Sequence, residues 1–440
     1  MIQRFHLRSR GSTVPAEIRG AVTTFLTMAY ILFANPAILS AAGVPPGPAV
    51  AATAGAAAIC SIMMGVVANF PLALASGMGL NAIIAYQIAP IAGSWQTAMG
   101  LVVLDGLLAL LLVLAGFREA VMNAIPRDLR RAIGVGIGLF LAFIGLVNAR
   151  LVVVPPGTVG ALAGNPLGVM PPVTYGSLRS AEATVALVGV LITAALLARR
   201  VTGALVLGII ASTVLALALG AASLPAGAWV SLPSFATVGQ ADVIGALAPS
   251  VLPLVLPLLI VDFFDTIGTV TAVAEEAGLH GDGGRIPGIR RVLAVDSLSA
   301  AVGGFFGASS VTSYVESAAG VAEGARTGLH SVVVGLLFTA ALFLTPVLGI
   351  VPSAATAPAL IAVGFLMCRQ VARIDFRDLD TAIPAFVLLV TIPFTYSISH
   401  GIGYGFITFV VIKVLSAKWR DVHPLMYATA AGFGAYFAFG

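Results

Sequence analysis

Two stretches of this 440-residue chain decide its fold: NFPLALASGMGLNAIIAYQI, residues 69–88, and GGFFGASSVTSYVESAAGVAEG, residues 303–324. Both are apolar, but proline or glycine interrupts each of them before a full-length helix can form. In the first stretch, Pro71 and an SGMG run precede Asn81; in the second, three glycines and four serine or threonine residues precede Glu316. This pattern predicts a short extended strand followed by a half-helix in each stretch.

The rest of the chain is too apolar for a protein that folds in water. Hydrophobic residues make up 59% of it and charged residues 9%, and the mean hydropathy is +1.06. Apolar runs of about 17–23 residues recur, long enough to cross a bilayer as helices, and they lack the alternation of a membrane barrel. The sequence therefore predicts an all-α polytopic membrane protein, in which irregular backbone at mid-membrane is buried in protein or lines a cavity.

About fourteen membrane spans are expected, each bounded by proline, glycine or charge. They lie near residues 18–40, 48–68, 75–91, 96–116, 128–148, 181–198, 201–220, 246–273, 288–306, 311–324, 328–349, 354–371, 381–399 and 401–417. The first run is long enough to span, so it is not read as a cleaved signal. Residues 421–440 are expected to form a terminal interfacial helix.

The basic residues give one orientation for all of these spans. With a cytoplasmic N-terminus, twenty of the 22 lysines and arginines fall on the cytoplasmic side, and only Arg150 and Arg179 fall outside. Short cytoplasmic loops carry such an excess of positive charge. We therefore expect a multi-pass protein of the cytoplasmic (inner) membrane with both termini in the cytoplasm. The net charge of +4 is attributed to topology and lipid headgroups, and no nucleic acid partner is expected.

The two halves of the chain are related to each other. A shift of about 235 residues places Asn81 over Glu316, and farther along a shift of about 226 places Gly138 over Gly364. Seven spans per half is an odd number, so the second copy enters the membrane from the opposite side and the repeat is inverted, as in many transporters. A chance match of hydrophobic patterns is the alternative, but loop charges and Pro-Gly punctuation support the same division.

Carriers of this kind bind their substrate near the midplane, beside interrupted helices. A charge inside a span costs about 2.5–3.5 kcal/mol on insertion scales and is a functional candidate by default. Glu316 lies near the start of the second half-helix, where the helix dipole favours a carboxylate. Asp262 and Asp265 share one face of span 8, which contains no basic residue. These acids are the leading candidates for substrate binding and proton coupling.

Weaker candidates surround them. Asn81 matches Glu316 in the repeat, whereas the hydroxyls of Thr27, Tyr30 and Ser313 are of a kind that often joins helices in lipid. Thr27 aligns with Asp262, which favours Asp262 over Asp265 as the binding residue. Asp105 and Asp296 are expected to make structural hydrogen bonds, and Asp105 is also a candidate for a proton path. Flat apolar walls are expected from Phe263, Phe264, Phe305, Phe306 and Tyr314.

Histidine and cysteine chemistry is not expected. All five histidines, His6, His280, His330, His400 and His423, fall in tails, loops or span ends and are interpreted as solvated. Cys60 and Cys368 lie in separate spans and are interpreted as small apolar fillers, with no disulfide or metal site.

The site chemistry selects a neutral solute rich in N–H donors. Acids, an amide and hydroxyls without a deep lysine or arginine should repel anions. A carboxylate that accepts from two adjacent N–H groups suits the edge of a guanine-like purine. A titratable carboxylate also offers proton symport as a coupling mechanism, although aspartates and unwound carbonyls are equally good ligands for sodium. No other cofactor is expected.

Four long strings are distinctive: GAVTTFLTMAYILFANPAIL, ASGMGLNAIIAY, VDFFDTIGTVTAVAEEAGL and GASSVTSYVESAAGVAEGARTGLHSVV. Through them, and over nearly its whole length, the chain resembles the xanthine/uracil permease family (nucleobase:cation symporter family 2), specifically the adenine, guanine and hypoxanthine permease branch. The resemblance implies a fold of seven plus seven inverted repeats, with a core domain in residues 1–125 and 240–350 and a gate domain in 126–225 and 351–420. It also implies elevator-like movement of core against gate, and a homodimer.

The same resemblance assigns residues. The span 8 acid of the family maps to Asp262, the span 10 acid to Glu316, the span 3 amide to Asn81, and an acid near span 13 to Asp380. Xanthine and uracil branches tend to carry glutamate at the Asp262 position, so the purine branch matches better. Guanine, hypoxanthine and/or adenine are the expected substrates.

Three other classes remain as alternatives. An anion or other small-solute carrier could share the fold, but an anion carrier should place a cation near the half-helices. A channel would not show saturable, proton-dependent uptake. A membrane-embedded protease would need a Ser-His pair or paired acids, and only Asp262 with Glu316 offers an acid pair; no enzyme activity is expected.

Overall fold

The computed structural model describes residues 5–116, 125–155, 173–224, 229–279, 286, 288–348 and 350–439. The expectation for His280 and that for the side chain of Phe264 lie outside the described residues. Helices and short strands in the first half are α1 Val14–Met28, α2 Ile31–Leu39, α3 Pro46–Met63, β1 Leu74–Ser76, α4 Met78–Ile83, α5 Ala89–Ala92, α6 Trp95–Leu114, α7 Arg127–Asn148, β2 Val152–Val153, β3 Thr174–Tyr175, α8 Ala181–Ala198 and α9 Ala204–Ala218.

The second half repeats the pattern of long helices around one broken segment. Its elements are α10 Val243–Ala246, α11 Val255–Ala277, α12 Ile289–Phe306, β4 Val311–Ser313, α13 Ser317–Ala322, α14 Gly328–Ala341, α15 Thr345–Leu348, α16 Ser353–Cys368, α17 Leu379–Phe394, α18 Ile398–Leu415 and α19 Pro424–Phe439. Single π-helical turns at Met64–Ala68 and Ile84–Ile88 continue α3 and α4.

Many of these helices can cross a membrane. Nine helical stretches within the described residues are long and apolar enough: Val14–Ala42, Pro46–Ala68, Trp95–Leu114, Arg127–Asn148, Ala181–Ala198, Leu252–Ala274, Gly328–Val347, Ser353–Arg373 and Ile398–Leu415. Three shorter apolar helices are Met78–Ala92, Ala204–Ala218 and Leu379–Phe394. These twelve, with α12 and the β4–α13 segment, coincide with the positions predicted from sequence, whereas the count of fourteen crossings stays a prediction.

The two interrupted stretches meet in the middle of the fold. β1 and β4 form a two-stranded antiparallel sheet in which Leu74 pairs with Ser313 and Ser76 with Val311. Every residue of the two strands is buried, as non-helical backbone in a membrane protein must be. The predicted order of a short strand followed by a half-helix is confirmed in both halves.

Glycines that are equivalent in the repeat also contact each other. At the crossing of α7 and α16, a Cβ on Gly138 would lie 2.8 Å from the carbonyl oxygen of Gly364, and a Cβ on Gly364 would lie 2.4 Å from that of Gly138. Glycine therefore lets these two backbones approach closely. This contact is compatible with the inverted repeat, which stays a prediction.

Two groups of helices pack around this centre. In the first group, α7 contacts α16 and α17, α16 also contacts α8 and α9, α8 contacts α9, and α18 packs against α17. α1, α3, α6, α11, α12, α13 and α14 make up the other group. The last helix, α19, runs back along α18: the Phe433 ring meets Phe406 edge to face at 6.2 Å, and the Phe437 ring stacks on His400 at 5.0 Å.

Candidate functional site at the broken helices

The β1–β4 pair leads into two half-helices, one in each interrupted stretch. Beyond the strands, the Gly77 amide donates to the Ser310 carbonyl at 2.9 Å and the Tyr314 amide donates to the Ala73 carbonyl at 3.0 Å. Immediately after, α4 begins at Met78 and α13 at Ser317. The first amides of α13, those of Ser317, Ala318 and Ala319, already donate to the carbonyls of Tyr314, Val315 and Glu316 at 3.1, 2.9 and 3.0 Å. A polar solute at this point would therefore be bound by side chains and not by these amides.

Glu316 occupies the N-cap position of α13. Its Oε1 accepts a hydrogen bond from the Tyr30 hydroxyl at 3.0 Å. Tyr30 lies between α1 and α2, which are the two parts of the first predicted span. The structure therefore brings a residue of span 1 onto the acid of span 10 across 286 positions of sequence.

Two further acids, Asp262 and Asp265, lie on α11. Asp262 is fully buried, and Asp265 lies close enough to Asp296 and Glu316 for the carboxylates to interact electrostatically. α11 contacts α4, β4 and α13, so it packs against both interrupted segments. No lysine or arginine occurs in residues 20–117, 201–284 or 292–325. The site is therefore built from acids on helices without basic residues, and protons or N–H donors are suited to balance it.

Asp296 organises the strand beneath the site. Its Oδ1 accepts from the Ser313 amide at 3.0 Å and the Ser313 hydroxyl at 2.7 Å, and its Oδ2 accepts from the Thr266 hydroxyl. The Thr266 and Thr312 hydroxyls are 3.1 Å apart. Asp296 thus has the structural role expected from sequence. Ser313, predicted to bind substrate, donates its hydroxyl proton within the protein and could offer a ligand only its lone pairs.

The two candidates of the first half differ in how their polar atoms are used. The Thr27 hydroxyl donates to the carbonyl of Thr24 in its own helix at 2.8 Å, so it is not free to donate to a ligand in this arrangement. Asn81 lies inside α4 and is fully buried. Within the described residues, neither its amide nitrogen nor its amide oxygen has a hydrogen-bond partner. Such a group ordinarily finds one, which makes Asn81 suitable for contacting a solute.

Asp105 and Asp380 lie elsewhere. Asp105 is fully buried in α6, which packs against α11 and α12. Asp380 lies at the start of α17, where its Oδ2 accepts from Lys413 at 3.3 Å and from Lys418 at 2.5 Å. This hydrogen bond raises the pKa of the Lys418 side chain. Asp380 is therefore a paired helix-end acid, and nothing in its contacts connects it to Glu316.

His330 corrects one expectation from the sequence. It is fully buried rather than solvated, and its Nε2 lies 2.8 Å from the Thr24 hydroxyl. The cause is its position in the first turn of α14, which packs against α1. His6 and His423 are exposed as expected.

The aromatic walls were also predicted incompletely. Phe263 is buried, and Tyr314 is buried with its hydroxyl donating to the Ser76 carbonyl at 2.6 Å. The ring of Phe305 is 51% exposed and packs against Phe306, which in turn meets Phe235. Phe305 and Phe306 thus pack with the segment before α10 rather than with the half-helices.

Sequence reasoning missed two polar residues. Glu17 is fully buried in the first turn of α1, where its carboxylate accepts from the amides of Arg326 at 2.9 Å and His330 at 3.1 Å. Gln87, in the π turn after α4, accepts from the Ser399 hydroxyl at 3.2 Å. The available signal for Glu17 was an acid in the first turn after the N-cap Thr13, where the helix dipole favours a carboxylate.

Known proteins of similar sequence and structure fit this architecture. The chain spans 99% of the guanine/hypoxanthine permease PbuG of Bacillus subtilis at 39% identity, with 99% of this chain aligned. It also aligns over 98% of its length, and 95% of the other chain, with the adenine permease AdeP of Escherichia coli at 39% identity. The transmembrane domain of the cyanobacterial bicarbonate transporter BicA shares the fold, with a TM-score of 0.60, 15% identity, and coverage of 91% and 96%.

Residues 15–403 match the model of the xanthine/uracil permeases, which is described as a permease family. That match covers most of the chain and both interrupted stretches. A permease moves a solute across a membrane, so membership indicates a membrane transport protein. The chain belongs to the xanthine/uracil permease family, and its relatives include adenine and guanine/hypoxanthine permeases.

Proposed function

We propose that this protein imports purine nucleobases, namely guanine, hypoxanthine and/or adenine, by proton symport across the cytoplasmic membrane. The observation that carries the proposal is the position of Glu316 at the N-cap of α13, beside Asp265 of α11. Carboxylates at this point can accept N–H groups of a base or take up a proton. The names of the relatives support a base as the solute.

Each acid has a distinct place in the proposal. Glu316 and Asp262 accept hydrogen bonds from the base, and Asn81, whose amide has no partner among the described residues, completes its recognition. Asp265 shares the electrostatic environment of Glu316 and is the natural group to exchange a proton when the base binds. Asp105 stays a candidate for a proton path, and sodium stays the alternative coupling ion.

The movement is proposed to be elevator-like. The core domain, residues 1–125 and 240–350, carries the site, and the gate domain, residues 126–225 and 351–420, stays against a partner subunit of a homodimer. Packing within the two groups of helices described above supports this division. Twenty of 22 basic residues on one side support a cytoplasmic N-terminus.

A second function, transport of an anion, is favoured by the likeness of the fold to a bicarbonate transporter. The charges favour the base. An anion at the start of α13 would meet the Glu316 carboxylate, and the helices around it carry no lysine or arginine between residues 292 and 325. Anion transport would require that this carboxylate be protonated or displaced.

Uptake in cells that lack their own nucleobase permeases tests the proposal. Radiolabelled guanine, hypoxanthine, adenine and uracil are supplied to cells with the wild type, Asp262→Asn or Glu316→Gln, with and without a protonophore. Glu323→Gln is the matched control, because Glu323 lies at the other end of α13 and is exposed, paired with Arg19. Purine uptake that both site variants abolish and the control retains supports the proposal. Uptake of no base by folded protein refutes it.

A further inference from the structure

One phenol group contacts the acid of the site from outside the two interrupted stretches. We propose that Tyr30 is a positioning residue that orients the Glu316 carboxylate toward the base and thereby influences the choice among purines. This inference rests on the proposed function. In this inference Tyr30 is not itself a binding residue. It acts on the Glu316 carboxylate and needs no contact with the base.

The position of Tyr30 is fixed by the backbone on both sides. α1 ends at Met28 and α2 begins at Ile31, and the Tyr30 carbonyl accepts from the amides of Phe33 and Ala34 at 3.0 and 2.9 Å. The side chain is 1% exposed. A buried phenol held at a helix junction has little rotational freedom, so its hydroxyl is a fixed donor to the Glu316 Oε1 at 3.0 Å.

A second tyrosine supports the first. Tyr314 is 5% exposed and donates to the Ser76 carbonyl at 2.6 Å, and its phenol lies near enough to that of Tyr30 for the two to interact. The contacts run from β1 through Tyr314 and Tyr30 to Glu316. Each phenol donates its one proton elsewhere, Tyr30 to Glu316 and Tyr314 to the Ser76 carbonyl, so Tyr314 supports the position of the Tyr30 ring by proximity and not by a hydrogen bond between them.

A restrained Glu316 carboxylate is better suited to bind two N–H groups of one base. A glutamate carboxylate on a short half-helix has several rotamers, and a paired contact with two N–H groups requires one of them. With Oε1 restrained by the phenol, Oε2 and the remaining lone pairs keep a defined direction. Guanine can present an N–H and an adjacent amine to the carboxylate, whereas adenine has no N1 proton. Loss of the restraint should therefore weaken guanine more than adenine.

The alignment of the two halves shows which residue type the second half has at the position of Tyr30. The shift that places Asn81 over Glu316 also places Tyr30 over Asp265. At equivalent positions, the first half thus supplies donors, a phenol and an amide, whereas the second half supplies two acids. A donor at the Tyr30 position can hold an acid of the other half in place, which a second acid could do only when protonated.

The test is the kinetics of uptake by Tyr30→Phe, which removes the hydroxyl and keeps the ring. Loss of a hydrogen bond to a charged group is expected to raise the KM for guanine about tenfold or more. The KM for adenine should rise less, so the guanine-to-adenine preference falls. Tyr427→Phe is the matched control, because it removes a hydroxyl that donates to the Trp419 carbonyl at 2.9 Å, next to α19. The control should keep the wild-type preference.

Unchanged KM and preference in Tyr30→Phe would overturn the inference while the proposed function stands. Absence of uptake in the wild type would refute the proposed function, and the contact is then judged by thermal unfolding of purified protein. Tyr30→Phe should lower the unfolding temperature in the wild-type background and change it little in a Glu316→Ala background. An equal decrease in both backgrounds would show that Tyr30 does not act on Glu316.

Discussion

Replacement of Glu17 by glutamine should destabilise the protein although the change leaves the proposed site untouched. The carboxylate is fully buried and accepts from the backbone amides of Arg326 and His330, at 2.9 and 3.1 Å, through its two different oxygens. Glutamine keeps one acceptor oxygen and turns an NH2 group toward the other amide. One charge-assisted hydrogen bond is then lost and a buried N–H is left without a partner.

The size of the effect follows from the geometry. Loss of a hydrogen bond to a charged group, which here leaves its buried amide donor without a partner, costs about 1.5–3 kcal/mol, so Glu17→Gln should cost roughly 2–3 kcal/mol. By contrast, Glu323 forms an ion pair with Arg19 in which the side chains are 44% and 66% exposed. Exposed pairs contribute about 0–1 kcal/mol. Glu323→Gln should therefore be nearly neutral.

Thermal unfolding followed with a thiol-reactive fluorophore measures this difference. Cys60 is fully buried in α3, so it reacts only after the surrounding helices separate, and Cys368→Ala removes the background of the second, less buried thiol. The unfolding temperature of Glu17→Gln should fall clearly below those of the wild type and of Glu323→Gln. Equal unfolding temperatures for the two variants would refute the reasoning, because they would show that the buried contacts of Glu17 carry no more stability than a surface pair.

Three other predictions concern packing and topology. Gly138→Val should destabilise the α7–α16 crossing by about 1–3 kcal/mol or more, because a Cβ at this position would lie 2.8 Å from the Gly364 carbonyl oxygen. The control in the same unfolding assay is Gly434→Ala, since a Cβ there would have no atom within 4 Å. Equal stability of the two variants would contradict this prediction. Gln87→Leu removes the side-chain oxygen that accepts from the Ser399 hydroxyl at 3.2 Å and should destabilise the protein by about 0.5–1.5 kcal/mol; an unchanged unfolding temperature in the same assay would argue against this contact. Because α19 runs back along α18, we expect α19 to cross the membrane and a C-terminal reporter to lie outside the cell. A cytoplasmic reporter would contradict this and would agree with the interfacial helix and cytoplasmic C-terminus predicted from the sequence.

The short strands and half-helices could be predicted from the sequence because they depend on residues that are close together in the chain. Proline and glycine positions in residues 69–88 and 303–324 set where helices cannot continue, and the structure places strands and half-helix starts there. The alignment of the two halves pairs Gly138 with Gly364, and these glycines contact each other in the structure, although the sequence predicted no contact between them.

The contacts of individual polar side chains could not be predicted from the sequence, because their partners are far away in the chain. Nothing near Tyr30 indicates that its hydroxyl reaches Glu316, 286 positions away, and nothing near His330 reveals that α1 covers it. Asp380 follows an acidic and basic loop, yet its partners, Lys413 and Lys418, come from the far end of the next helix. Hydropathy gives the depth of a residue in the membrane, but the rotation and neighbours of each helix depend on tertiary packing.

Accumulation of a base by purified protein in proteoliposomes tests the central claim most directly. Vesicles that contain the wild type are given radiolabelled guanine or hypoxanthine with an inward proton gradient, and Glu316→Gln and Glu323→Gln vesicles are measured beside them. The account predicts accumulation above equilibrium by the wild type and Glu323→Gln, collapse on addition of a protonophore, and no accumulation by Glu316→Gln. Uptake of bicarbonate with no uptake of either base, or base accumulation that Glu316→Gln retains in full, would contradict it.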